Sequence, residues 1–279
     1  MRENLLSRTA AMLVMAVCTV YFLVPVWWLF VGATKSSEQF TGTGALWFAD
    51  FRLFDNIGDL LAYRDGVFLR WMANSLAYTC GAALLGTLLA AMCGYALAKY
   101  RFRGREVLFN VVLSGVLVPA TALALPLFLM FSKIDATNTF WAVFLPSLVN
   151  PFGVYLARVY ASSSVPDELL EAARIDGSGE VRTFFKVSTK LMFPALVTIF
   201  LFHFVAVWNN FLLPLIMLSN ERLFPVTLGL FTWNTQVNQL PQLRGLVIVG
   251  SLLSITPLVV AFLLLQRFWR SGLGAGAVK

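Results

Sequence analysis

The chain has 279 residues, of which 59% are hydrophobic and only 13% charged, with a formal net charge of +7. Ordinary soluble domains carry about 45–50% apolar and about 25% charged residues, so a water-soluble enzyme and a disordered chain are both excluded. A lipid bilayer is the solvent this composition fits.

Six runs without Asp, Glu, Lys or Arg follow one another along the chain: 9–34, 71–98, 107–132, 136–157, 191–220 and 245–266. Each exceeds the roughly 18–20 apolar residues that cross a hydrocarbon core of about 30 Å. Backbone groups in lipid must bond internally, so the runs predict six transmembrane helices in one all-α integral membrane domain. The first run is too long for a signal-peptide core and is expected to stay as the first helix. The three cysteines, Cys18, Cys80 and Cys93, all sit inside apolar runs and read neither as a disulfide framework nor as a metal site.

The second run contains no proline and places Ala82, Gly86, Ala90, Gly94 and Ala98 at every fourth position. Such a small-residue stripe lets another helix approach closely, either inside the subunit or across a dimer face. Proline interrupts the other five runs, at Pro25, Pro119 and Pro126, Pro146 and Pro151, Pro194 and Pro214, and Pro257. Proline is common in membrane helices, and it also builds the broken helices that surround transporter cavities. The one ionisable side chain within the runs is His203. It reads either as a hydrogen-bonded core residue or as a relay, and ion-coupled carriers usually need more such groups.

A further charge-free run, 223–243, holds Asn234, Thr235, Gln236, Asn238 and Gln239 and reads as an extramembrane loop with some ordered, amphipathic structure. Six spans put both termini on one side. The N-terminus, the 99–106 and 158–190 loops and the C-terminus hold 14 Lys and Arg, against 7 in the other three loops, while acids split 7 and 7. The positive-inside rule makes both termini cytoplasmic, and the net charge is then a topology signal with no nucleic acid implied. No phosphate-binding Gly-Lys loop, zinc helix or nucleophile elbow occurs, so no catalytic or metal residue is assigned.

The 162–190 segment carries the most information. Ser164 is expected to cap a short helix that runs through Pro166, Asp167 and Glu168 to Ile175, with Val165, Leu169, Ala172 and Ala173 on one side. Asp176-Gly177 supplies the stop, and a second short helix continues through Val181, Phe184, Phe185 and Val187. The pair reads as a re-entrant loop or as a docking knob for a cytoplasmic partner.

Glu171-Ala172-Ala173, followed after three residues by Gly177, resembles the EAA loop of ABC importer permeases. Asp176, Gly177, Phe184 and Phe185 narrow the resemblance to carbohydrate permeases of the maltose-uptake class. Further matching stretches are Lys99-Tyr100-Arg101-Phe102-Arg103-Gly104-Arg105, Val118-Pro119, Leu125-Pro126-Leu127-Phe128 and Asn138-Thr139. Trp208-Asn209-Asn210-Phe211-Leu212-Leu213-Pro214-Leu215, Gln266-Arg267-Phe268, Gly272-Leu273 and Gly276-Ala277-Val278-Lys279 complete the set. Together they are similar to the second, G-type subunit, from about residue 74 to residue 279. Thr189-Lys190 departs from the family's usual Leu-Pro pair, and Asn210 stands where the family often has Asp.

The resemblance implies the type I ABC importer permease fold in a bacterial or archaeal plasma membrane. It implies a second homologous permease, a cytoplasmic ATPase dimer that binds the ATP and magnesium, and an extracytoplasmic sugar-binding protein. Glu171, Ala172, Ala173, Asp176 and Gly177 are then the expected ATPase-coupling residues. Candidate contacts to a di- or oligosaccharide are Thr121, His203, Trp208, Asn209, Asn210 and Phe211. The alternative is a self-contained channel or facilitator without an ATPase.

Overall fold

The computed structural model describes the backbone of residues 5–275 and the side chains of 8–268, Thr41 excepted. The closing motif from Gly276 to Lys279 lies outside the described residues, as do the side chains at 272 and 273. All regular structure among the described residues is helical. Five helices are long and apolar enough to cross a membrane, and a bent helix pair makes a sixth candidate. The chain divides into two compact units, one of residues 1–69 and 229–256, the other of 70–228 and 257–279.

In the first unit, α1 (Leu5–Ala33) is apolar around its whole circumference. It leads through α2 (Gln39–Gly42) to α3 (Leu53–Ala62). The Asn56 amide ties this turn together by donating to the carbonyls of Ala33 and Lys35 at 2.8 and 3.0 Å. Lys35, itself buried, donates to the Gly44 carbonyl at 2.7 Å. The polar run expected as an ordered loop contains α13 (Val226–Gln236). Its buried Trp233 meets Tyr63 edge-to-face, and exposed Asn234, Asn238 and Gln239 keep their amides in solvent.

The second unit is built around α4 (Val67–Lys99), which has no proline and runs unbroken. Its small-residue stripe packs inside the subunit. A Cβ added at Gly94 would come within 2.6 Å of the Ala157 Cβ and 2.7 Å of the Val154 carbonyl oxygen. One added at Gly86 would collide with the His203 ring. The start of α4 is stitched to the 221–226 segment: Trp71 donates to the Glu221 carbonyl, Asn74 to those of Arg222 and Phe224, and Tyr78 to that of Leu223.

α5 (Arg105–Leu117) and α6 (Ala120–Lys133) meet at a 102° bend. Pro119 causes it. A residue before proline is pushed out of the helical region, and Val118 sits at φ −79°, ψ 117°. α7 (Phe140–Phe144) passes through a short 3₁₀ turn into α8 (Pro151–Ser164). Thr139 caps α7, and Asn150 caps α8 just before the proline at its first position. α8 continues past Arg158, whose guanidinium donates to the Glu106 carboxylate at 2.6 and 2.8 Å and lies 3.9 Å from the Phe109 ring centre.

α9 (Asp167–Ile175) and α10 (Glu180–Thr183) follow. A π-helical turn, Phe184–Ser188, then runs directly into α11 (Thr189–Trp208). The expected separate second surface helix is therefore corrected: it is the first part of one helical run over Glu180–Trp208. Asn209 to Phe211 break the chain before α12 (Leu212–Met217). The final helix, α14 (Leu243–Ala275), contains Pro257.

Candidate functional site

Two arrangements in the second unit gather the sequence candidates. The first is the α9 segment. Ser164 does not cap it; Ser164 is the last residue of α8, and Pro166, extended at ψ 141°, occupies the cap position. Asp167 and Glu168 lie in the first turn and Arg174 in the last, both favourable to the helix dipole. The end is a Schellman closure: the Ser178 N–H donates to the Ala173 carbonyl at 2.9 Å and the Gly177 N–H to that of Arg174 at 3.0 Å. Gly177 takes φ +76°, the left-handed conformation that glycine adopts without a Cβ penalty.

The inward residue of α9 is Leu170, not Leu169. Leu170 is 4% exposed and joins Tyr95, Ala161, Val165, Phe184 and Met192 in one apolar cluster. Leu169 is half-exposed, and Glu171, Ala172, Ile175 and Asp176 face outward with Ile175 at 86% exposure. The helix thus pegs itself with one leucine and presents a small, apolar and acidic outer face. Three polar ties hold it. Lys99, at the end of α4, donates to Asp167 at 2.7 Å. Arg174 donates to Glu180 at 2.8 Å, and Tyr100 donates to the same carboxylate at 2.8 Å. The hydrogen bond and charge of Lys99 hold the Asp167 carboxyl below its usual range. Burial, then the Glu180 hydrogen bond, push the Tyr100 phenol up. The outer face is consequently coupled to α4 and, through the π turn, to α11. Lys99, Tyr100, Arg174 and Glu180 were not among the sequence candidates: Lys99 and Tyr100 find their partners 68 and 80 residues away, which leaves no local signal, and the Arg174–Glu180 pair, six residues apart, crosses the Gly177 turn.

The second arrangement is a cleft of about 520 Å³ between the α5–α6 bend, the α7–α8 junction and the α11–α12 break. It brings together Thr121, His203 and Asn210 and adds Ser147 and Asn150, which the sequence reading missed. An Asn-Pro pair at a helix start was the available signal for Asn150. The His203 ring N–H donates to the Ser147 carbonyl at 2.9 Å, since a carbonyl only accepts. Its other ring nitrogen, Nδ1, is buried with no hydrogen-bond partner among the described residues.

Trp208, Asn209 and Phe211 are not in this cleft. Trp208 is buried and stacks parallel to Phe204 at 6.1 Å. Asn209 donates to its own helix at the Val205 carbonyl, and Phe211 packs in the cluster around Tyr78 and Phe144. Asn210 caps α12 by accepting from the Leu213 N–H at 3.4 Å. Among the described residues no three His, Cys, Asp or Glu side chains gather as metal ligands.

A family model described as binding-protein-dependent transport system inner membrane component matches residues 83–271. The chain is 38% identical over 214 residues to the arabinooligosaccharides transport system permease protein AraQ of Halalkalibacterium halodurans, covering 77% of this chain and 75% of that protein. It is 32% identical over 274 residues to AraQ of Bacillus subtilis, covering 98% and 96%. It is 30% identical over 266 residues to the lactose transport system permease protein LacG of Rhizobium radiobacter, covering 95% and 94%. Among solved structures, a chain of a bacterial ABC transporter involved in import of the acidic polysaccharide alginate superposes with a TM-score of 0.82. That match has 22% identity and covers 96% of this chain and 99% of that one, a likeness of fold. A family match over most of the chain, relatives that span nearly all of it and an all-helical permease fold have one conclusion: this chain belongs to the binding-protein-dependent inner membrane components, the membrane permeases of ABC importers.

Proposed function

We propose that the chain is one of two permease subunits of a sugar importer, carrying a di- or oligosaccharide through a pathway shared with a homologous partner. The observation that carries the mechanism is the outer face of α9. It is exposed, capped at Gly177, tied to α4 by Lys99–Asp167, and tied by Arg174–Glu180 to the start of the helical run that becomes α11. A cytoplasmic ATPase dimer, which holds the ATP and magnesium, grips Glu171, Ala172, Ala173, Asp176 and Gly177. Closure of the dimer moves α9 as a rigid body, and the ties pass that motion to α4 and α11. Two packed arrangements then exchange, inward- and outward-facing. The permease itself contributes no catalytic group. The excess of Lys and Arg on the α9 side supports a cytoplasmic location for that face and for both termini.

A sugar as cargo is supported by the names of the relatives and by the chemistry of the cleft. Thr121, Ser147, Asn150, His203 and Asn210 are neutral hydrogen-bonding residues, and Phe152 and Phe202 supply aromatic surface. Its volume of about 520 Å³ falls in the usual range of roughly 300–1,000 Å³ for ligand sites. An extracytoplasmic binding protein delivers the sugar.

Affinity purification from the native membrane tests the assembly. One second permease and two ATPase copies are expected with each copy of this chain; recovery alone would favour a self-contained channel. Glu171→Lys and Gly177→Asp are expected to keep expression while uncoupling ATP turnover from uptake. Normal uptake by both variants would refute the coupling role of α9.

A further inference from the structure

A second concavity of about 350 Å³ lies between α4, α11 and α14, away from the cleft described above. Its walls are Leu84, Leu88, Phe193, Leu196, Phe200 and Leu265, and among the described residues its only polar side chains are those of Thr87 and Thr189. Leu84 and Phe193 are exposed at its lips. Along α11 it extends from Thr189 to Phe200. At ~1.5 Å per residue this is roughly 16 Å, about half of a hydrocarbon core of ~30 Å. The groove is as deep as one leaflet.

One end of the groove is basic. Lys190 follows Thr189 directly and lies three residues, one helical turn, before Phe193. Phe193 makes an edge-to-face contact with Phe268 at 5.4 Å, and the Arg267 guanidinium lies 4.8 Å from that ring's centre. Lys190 and Arg267 are both exposed. No Asp or Glu occurs anywhere in α4, α11 or α14, so the helices that form the groove supply no counter-charge.

We propose that this groove is a binding site for an anionic phospholipid, with one acyl chain along Leu84–Phe200 and the phosphate held by Lys190 and Arg267. An apolar channel one leaflet deep suits an acyl chain, and unneutralised cations at its mouth select a negative headgroup. The site requires only that the chain spans a bilayer and is independent of the cargo. Because α11 continues from α10, which the Arg174–Glu180 pair ties to α9, an occupant of this groove contacts the helix that carries the proposed coupling motion.

The test is photolabelling of the purified transporter in nanodiscs, using phosphatidylglycerol or phosphatidylcholine with a diazirine in the acyl chain, and mapping adducts by mass spectrometry. Adducts are expected on Leu88, Phe193, Leu196 and Phe200, more from phosphatidylglycerol than from phosphatidylcholine. Lys190→Gln and Arg267→Gln should each lower phosphatidylglycerol labelling about fivefold, from ~1 kcal/mol per basic residue near a membrane surface, and leave phosphatidylcholine labelling unchanged. Leu88→Trp, which fills the groove, should abolish both. Equal labelling by the two lipids, or indifference to the two charge removals, would overturn the site. So would an unlabelled groove whose residues cross-link to another protein chain.

Discussion

Gly94→Ala tests how closely α4 and α8 approach. The new methyl group would lie 2.6 Å from the Ala157 Cβ, 2.6 Å from the Arg158 backbone nitrogen and 2.7 Å from the Val154 carbonyl oxygen. Carbon–carbon contacts are comfortable at about 3.5–4.0 Å, so α8 must retreat by about 1 Å. Two of the three atoms struck are backbone, and no side-chain rotation relieves them. Overpacking of this kind typically costs ~1–3 kcal/mol. At roughly 2–4 °C per kcal/mol for a chain of this size, the midpoint of thermal unfolding in detergent should fall by about 4–8 °C for a central cost. Gly58→Ala is the internal control. Gly58 is helical, exposed and has nothing within 4 Å of an added Cβ. Removing its backbone freedom should leave the midpoint level or raise it, by up to ~1 kcal/mol. Equal midpoints for Gly94→Ala and Gly58→Ala would refute the close packing of α4 on α8.

Three other outcomes follow from the same geometry. Gly177→Val should cost ~1–2 kcal/mol locally because φ is +76°, whereas Gly177→Asn should be tolerated; hydrogen exchange of the α9 amides reads the difference, and equal protection in the two would contradict a left-handed position. Asp167 has a depressed folded pKa, so its tie to Lys99 is fully present above the ordinary value of ~3.9 and is lost as pH falls through the depressed one. Thermal midpoints of wild type and Asp167→Asn should therefore differ by a constant amount from about pH 5 to about pH 8 and converge in stronger acid; a difference that varies within that window would argue against the pair. His203→Ala removes the bond to the Ser147 carbonyl and leaves a void beside Gly86, at a cost of ~1–3 kcal/mol; an unchanged midpoint would show that this bond does not hold α11 in place.

The turns of this protein are legible residue by residue. Pro119 announces the bend after Val118, Asn138-Thr139 the start of α7, and Asp176-Gly177 the end of α9, because each acts through its own backbone torsions and nearest hydrogen bonds. The α9 segment was also readable as a presented helix, although grouping Leu169 with Val165, Ala172 and Ala173 left out Leu170, the leucine that turns inward. A nine-residue amphipathic helix leaves two neighbouring leucines nearly equivalent until the cluster beneath selects Leu170. The cleft was half legible. Thr121, His203 and Asn210 converge there, while Trp208, Asn209 and Phe211 belong to packing and helix ends.

By itself the sequence determined that the chain lives in a membrane, how many apolar runs it has, and that the loops grouped with the termini hold the excess of Lys and Arg. These follow from the cost of placing charge and unpaired backbone in hydrocarbon, which acts on each stretch of chain separately. Only the tertiary structure decided that the α4 stripe faces α8 and His203 within the subunit, that Lys99 locks Asp167, and that the second surface helix continues through a π turn into α11. Those features depend on which groups stand opposite one another in space. In a bilayer both faces of a helix are apolar, so hydrophobic periodicity does not point to the partner; close steric fit and a few polar ties do.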